Sequence, residues 1–228
     1  MKTLSLWMAL VLGMASAAYA QESRRTFDLK DFDKLSVGSA FKANVSKSNS
    51  FRVVATGEQQ DLDDLEAKIS GRTLVIKYKN SRNRRKGVTL DIEMPALAGV
   101  DLSGAASMKA AGFNDGNDLK LDVSGAAKLA LEIEAGDVSF DLSGASSTML
   151  TGSARSLKGD ISGASSLKAS DFPVKDAEVD ASGASSATVH PSSRLLAEAS
   201  GASSIRYAGG AKDIRVNTSG GSSVKKSD

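Results

Sequence analysis

From Leu102 onward, apolar and polar residues alternate in short runs. Leu119, Leu121 and Val123 make one run, Val138, Phe140 and Leu142 the next, and Leu157, Gly159 and Ile161 a third. A period of two marks a strand with one buried face. Each run ends in Ser-Gly-Ala or a close relative, beginning at Ser103, Ser124, Ser143, Ser162, Ser182, Ser200 and Ser219, a spacing of 18 to 21 residues. A strand-periodic repeat of that length, sustained over more than half the chain, predicts an all-β parallel β-helix with about one coil per repeat. A helical solenoid would need a 3.6-residue period and longer units. Successive coils should stack about 4.8 Å apart.

The same parity places a core. Leu102, Gly104, Ala106, Met108 and Ala110 share one parity, as do Val123, Gly125, Ala127, Leu129 and Leu131. On this reading each glycine sits where a side chain would collide with the lumen, so Gly163→Val should be severely destabilising through overpacking. Ser146, Ser165, Ser185 and Ser203 fall in the column of Ala106. Their buried hydroxyls would have to bond the backbone.

Before the repeat the pattern is less regular. Strands are expected at Ala40–Ser46, Phe51–Ala55, Leu74–Lys79 and Val88–Met94, with turns at Gly57 and Gly71. The stretch from Asp61 to Ile69 fits a short amphipathic helix or another extended segment. A β-helix needs a covered end, because open strand edges invite association. Residues 21–98 are therefore read as a β-rich cap with the first coils, 99–225 as the seven-repeat β-helix, and 226–228 as a polar tail.

The first residues read as an export signal. Lys2, an apolar stretch from Leu4 to Ala17, and Ala18-Tyr19-Ala20 give the charged, apolar and small-x-small regions of a cleaved leader, residues 1–20. Nothing after it is apolar enough for a membrane span, so the mature protein is expected in the periplasm or on the outer cell surface. The chain has no cysteine, so packing and backbone hydrogen bonds must hold it together. Its 29 Lys and Arg against 27 Asp and Glu leave too little net charge for the broad electrostatic footprint of a nucleic-acid binder.

The order of motifs carries a resemblance. Phe32-Asp33-Lys34-Leu35 leads into Val37-Gly38-Ser39-Ala40-Phe41-Lys42-Ala43-Asn44-Val45. Then follow Gly71-Arg72-Thr73-Leu74-Val75-Ile76 and the run from Val88 to Leu97, which leads into Leu102-Ser103-Gly104-Ala105. Over residues 27 to 225 this resembles the "putative auto-transporter adhesin, head GIN domain" family. The resemblance implies a right-handed β-helix in a bacterial envelope protein.

Candidate chemistry is sparse. His190 is the only histidine; it can neither build a metal cluster nor be assigned as the base of a particular serine, and no catalytic residue or cofactor is expected. Asp101, Asp122, Asp141, Asp160 and Asp180 each stand two residues before a repeat serine. They should form an outward column that is either simply hydrated or bridged by Ca²⁺; a Ca²⁺-dependent, lyase-like enzyme acting on polysaccharide is the alternative function. Lys77, Lys79, Arg82, Arg84, Arg85 and Lys86 gather six cations in one loop region, a solvated tip or an anchor for anionic envelope material. Ser103, Ser107, Ser143, Ser147, Ser162 and Ser166, interleaved with alanines, would line a flat strip suited to close packing, unless the alanines turn inward at a corner. The reading favoured is an exported, non-catalytic binding, adhesion-type or scaffold protein, meeting an envelope or extracellular glycan, a protein, or a second copy of itself.

Overall fold

A computed structural model describes residues 22–80 and 86–227. The expected leader, and Arg82, Arg84 and Arg85 of the basic loop, lie outside the described residues. The chain is a parallel β-solenoid. In its regular part each coil is a strand run, a Ser-Gly-Ala turn, a second run and a corner. The strands are β8 (Gly99–Leu102), β9 (Ser107–Phe113), β10 (Leu119–Val123), β11 (Lys128–Leu142), β12 (Ser147–Ile161), β13 (Ser166–Ala181), β14 (Ser186–Ala199), β15 (Ser204–Tyr207), β16 (Asp213–Thr218) and β17 (Ser223–Lys226). The four long strands run through the corner, so each contributes to two coils. Lys226 belongs to β17, so the solenoid runs one residue into the expected tail.

Neighbouring coils stay in register, residue over residue. Leu102, Val123, Leu142, Ile161, Ala181 and Ala199 form one inward column, and all are buried. Each large member of such a column contributes roughly 1.5–3 kcal/mol by leaving water. The column shrinks from Leu to Ala toward the C-terminus, and the core thins with it. In the last coil the residues of inward parity on β16, Ile214 and Val216, are 39 % and 47 % exposed.

Handing hydrogen bonds through the turn is what fixes its sequence. Ala126 N donates to Gly104 O at 2.7 Å, Ala145 N to Gly125 O at 2.7 Å, Ala164 N to Gly144 O at 2.7 Å, and Ala184 N to Gly163 O at 2.8 Å. Each turn glycine is left-handed, with φ near +70°. A Cβ on Gly163 would lie 2.5 Å from Gly144 O. This corrects the inward placement of the glycines: Gly104 and its equivalents are exposed, and what crowds them is the backbone of the neighbouring coil, not the lumen. The parity pattern misled because three residues leave the core between Leu102 and Ala106, and both of those are buried. The serine column is buried as expected. Ser203 Oγ donates to Ala181 O at 2.9 Å and Ser185 Oγ to Ile161 O at 3.3 Å. The hydroxyls of Ser146 and Ser165 make no such bond.

The N-terminal part is stacked out of chain order. β2 (Lys34–Val37) and β3 (Lys42–Lys47) form a coil directly beneath β8 and β9. β6 (Thr73–Tyr78) and β7 (Thr89–Met94) form the coil beneath that. The segment after β7 therefore passes the β2–β3 coil to continue the stack on its far side. β4 (Arg52–Gly57) pairs antiparallel with β7, β1 (Ser23–Phe27) with β4, and β5 (Leu65–Ser70) with β6. These antiparallel strands block the bottom edge against further parallel stacking. The undecided stretch at 61–69 contains both alternatives: helix α1 (Gln59–Asp63) ends and β5 begins within it.

Gly38-Ser39-Ala40 is a further turn of the same column, for Ala105 N donates to Ser39 O at 2.6 Å. Ser39 adopts φ +59° where the later coils have glycine. Beneath it β6 ends at Tyr78 and β7 begins at Thr89, so no Ser-Gly-Ala turn is stacked under its side chain. The same residue should then cost different amounts at equivalent positions. Gly163→Ser should lower unfolding free energy by more than about 2 kcal/mol, while Ser39→Gly changes it by less than about 1 kcal/mol. Urea unfolding followed by circular dichroism would measure both, and equal losses would refute the stacking account.

Candidate binding surfaces

The run before each turn carries the acidic column outward. Asp101, Asp122, Asp141, Asp160, Asp180 and Glu198 stand in direct register, one per coil, and all are exposed. Ser36 continues the column below and donates to Asp101 Oδ2 at 2.9 Å. Like charges at one strand spacing repel by roughly 1 kcal/mol in water. Partial desolvation, and after it the charges of Asp101 and Asp141, push the Asp122 carboxyl up, while Lys120 pulls it back. Among the described residues no three acidic or histidine side chains converge to hold a metal ion.

Beside that column the surface is a ladder of paired charge. Arg155 Nε donates to Asp137 Oδ1 at 2.8 Å, and a second guanidinium nitrogen reaches Oδ2. With a further bond from Ser156 Oγ, this holds the Asp137 carboxyl at about 2. Lys158 pairs with Glu178 at 3.0 Å and Arg194 with Asp176 at 3.9 Å.

The described lysines of the basic loop are also partnered, two of them by carboxylates. Lys77 meets Glu66 at 3.4 Å, Lys86 meets Glu58 at 2.6 Å, and Lys79 Nζ donates to Asp63 O at 3.2 Å. The segment from Glu58 to Glu66, around α1 and the start of β5, supplies all of these partners.

The Ser-Gly-Ala turns line one edge of the solenoid. Their alanines (Ala105, Ala126, Ala145, Ala164, Ala184 and Ala202) point to solvent, which settles the corner question in favour of an outward strip. Ser103, Ser143 and Ser162 are half-buried in the turns. Ser107, Ser147 and Ser166 lie at the start of the following run, where Ser166 Oγ donates to Ser147 Oγ at 3.2 Å. His190, half-buried at the far corner, places Nδ1 2.9 Å from Ser170 O.

The run after each turn carries the feature that sequence reading missed. Its first outward column is Lys42, Ser107, Lys128, Ser147, Ser166, Ser186, Ser204 and Ser223. Its second is Asn44, Lys109, Ala130, Met149, Lys168, Thr188, Arg206 and Lys225. From Lys128 to Lys225 neither column holds an acid. Lys42, Lys109, Lys128, Lys168, Arg206 and Lys225 are all exposed, and among the described residues none has a carboxylate partner. Of the acids near this face, Glu132 stands in the next outward column of the Lys128 run, and Asp91 and Glu93 belong to the N-terminal coils. There Asp91 accepts from Asn44 at 2.9 Å, and Glu93 pairs with Arg52 at 2.8 Å. Met149, 46 % exposed, opens here onto a shallow cleft of about 570 Å³ lined also by Ala111, Ala130, Lys109 and Arg52. The signal was present in the sequence: these residues stand four and six positions after each repeat serine.

Comparisons with known proteins follow the fold. The profile of the family described as "Putative auto-transporter adhesin, head GIN domain" matches residues 31–211. A crystal structure of a "putative adhesin" from Bacteroides fragilis is 18 % identical, with TM-score 0.79, and covers 90 % of this chain and 97 % of its own. A "putative lipid binding protein" from Parabacteroides distasonis is 15 % identical, with TM-score 0.73, over 91 % and 97 %. A "putative adhesin" from Parabacteroides merdae is 18 % identical, with TM-score 0.67, over 92 % and 98 %. No curated protein matches.

The two carboxylates make opposite predictions. A raised folded pKa means that protonation favours the folded state, so the Asp122 contribution is fully present below its unfolded value and is lost as pH rises through the folded one. Asp122→Asn should therefore raise the melting temperature at pH 7, and the gain should shrink below about pH 4. Asp137 has a lowered pKa, so its contribution is present above the ordinary carboxylate value and is lost as pH falls toward about 2. Carboxyl-carbon NMR titration should show Asp137 returning toward the ordinary range in Arg155→Ala; an unmoved titration would sink the assignment.

Proposed function

The chain belongs to the auto-transporter adhesin head GIN domain family, and on that premise we propose that it is an exported, non-catalytic binding module of the bacterial envelope. One observation carries the reading: its polar side chains recur one per coil along the whole solenoid instead of converging. Catalysis needs an acid, a base or a nucleophile gathered within hydrogen-bond reach of one reacting bond. Extended recognition needs the reverse, a rigid surface on which modest contacts repeat. The adhesin descriptions of the structural relatives point the same way. The polysaccharide-lyase reading has its best support in the acidic column. Those carboxylates lie evenly along the sheet; Lys120 stands beside Asp122, but the acids recur coil by coil instead of gathering round one point.

Export to the cell exterior supports adhesion to foreign surfaces; confinement to the periplasm supports envelope scaffolding. Proteinase K applied to intact cells, with a periplasmic marker as control, separates them. Digestion while the marker survives is the expected result. Protection until the outer membrane is opened would overturn the adhesive version.

A further inference from the structure

We infer that the outward face of the run after the turns binds a linear acidic polysaccharide, laid along the solenoid axis across Lys128, Lys168, Arg206 and Lys225. The inference rests on the binding-module reading and names its ligand class.

What sets this face apart is the number of cations gathered in it. Elsewhere many cations are matched, such as Arg52 with Glu93, Lys77 with Glu66, Lys86 with Glu58, Arg155 with Asp137 and Lys158 with Glu178, although Arg24, Lys34, Lys175 and Lys212 form no ion pair with a described carboxylate. Here six cations in two adjacent columns have no carboxylate partner among the described residues. The unbroken acidic column lies on the other run, across the core. A chain whose net charge is only +2 is thus divided lengthwise into an acidic and a basic side. Such a field selects one side for a polyanion and repels it from the other.

The geometry selects the kind of polyanion. From Lys128 to Lys225 there are five coil steps, about 24 Å at strand spacing, along an open surface with the shallow Met149 cleft beside its first steps. An extended polymer can follow this line, whereas a compact anion would use only one or two of its cations. The serine hydroxyls of Ser147, Ser166, Ser186, Ser204 and Ser223 run beside the cations at the same spacing. Hydroxyls that both donate and accept suit sugar hydroxyls, while lysine serves carboxylates as an adaptable point charge. Neither column carries an aromatic residue between Lys42 and Lys225, so nothing there stacks nucleobases. Met149 is the one large apolar side chain exposed in these columns, too little to insert into a lipid surface.

The test measures binding of the chain to polygalacturonate fractions of defined length by isothermal titration calorimetry. Binding should tighten with length until the polymer spans about 24 Å, and it should weaken steeply as salt rises. Lys168→Glu with Arg206→Glu should lower affinity by at least about tenfold, with unchanged circular dichroism. Asp122→Asn with Asp141→Asn, on the other side, should not weaken it. Undiminished binding by the Lys168/Arg206 variant would overturn the face assignment while leaving the binding-module reading standing. Phosphatidylglycerol vesicles and single-stranded DNA are run beside the polymer. Binding to either of them without binding to the uronate chain would overturn the ligand class.

Discussion

Each coil must reverse direction within three residues and still pass an N–H downward and a carbonyl upward to its neighbours. The Ser-Gly-Ala turn meets this demand only in a left-handed conformation whose Cα hydrogen faces the carbonyl of the turn before it. A Cβ on Gly125 would lie 2.6 Å from Gly104 O, and one on Gly144 2.6 Å from Gly125 O. Because the turns stack closely, the strands on both sides inherit one register, and the inward columns follow. With little aromatic surface and no disulfide, the core depends on this regularity. Its side chains are mostly Leu, Val, Ile and Ala, which pack efficiently only when repeated in line.

The same constraint explains the N-terminal arrangement. β2 and β3 lie between a coil made later in the chain and the first regular coil, so they are paired on both edges. Neither neighbour can be completed until residues far along the chain have arrived, which makes this end rich in long-range contacts and slow to form by local zipping. The regular coils need only their predecessor. Ser39 marks the junction. It takes the turn conformation without the glycine, and beneath it β6 and β7 are joined by a segment whose sequence holds no Ser-Gly-Ala turn.

Much of this was readable in the chain, and the misses have physical causes. Repetition at 18 to 21 residues with period-two alternation determined the solenoid, the buried column from Leu102 to Ala199 and the exposed acids. Periodicity could not show that the turn glycines lie outside the core, because a three-residue excursion preserves parity on either side. Nor could it show coils stacked out of chain order, since local alternation says nothing about which strand is a neighbour. The basic loop drew attention because its charges are consecutive. Its lysines are partnered through contacts with the α1 and β5 region, which no linear pattern reveals. Lys109, Lys128, Lys168, Arg206 and Lys225 escaped because they are scattered one per repeat and become a surface only when the repeats are laid over one another.

A solenoid separates its interior from its exterior more fully than a globular domain does. Inward columns must keep shape from coil to coil, whereas outward columns need only remain soluble, so the two outer surfaces can acquire opposite character without disturbing the core. That freedom also has a cost, for like charges in one column repel at every step and add to the partial desolvation that raises the Asp122 pKa. The acidic side is relieved in part by the neighbouring ladder of Lys120 and Lys158 and by the Arg155–Asp137 pair. The basic side has no such relief from within the described chain. Most of its cations are spaced by alanine, methionine, threonine or serine, which lowers their mutual repulsion, while Arg206 and Lys225 are direct neighbours. Contacts repeated at coil spacing then act as linked weak sites, so the affinity of such a surface is set by how many coils one polymer can span at once.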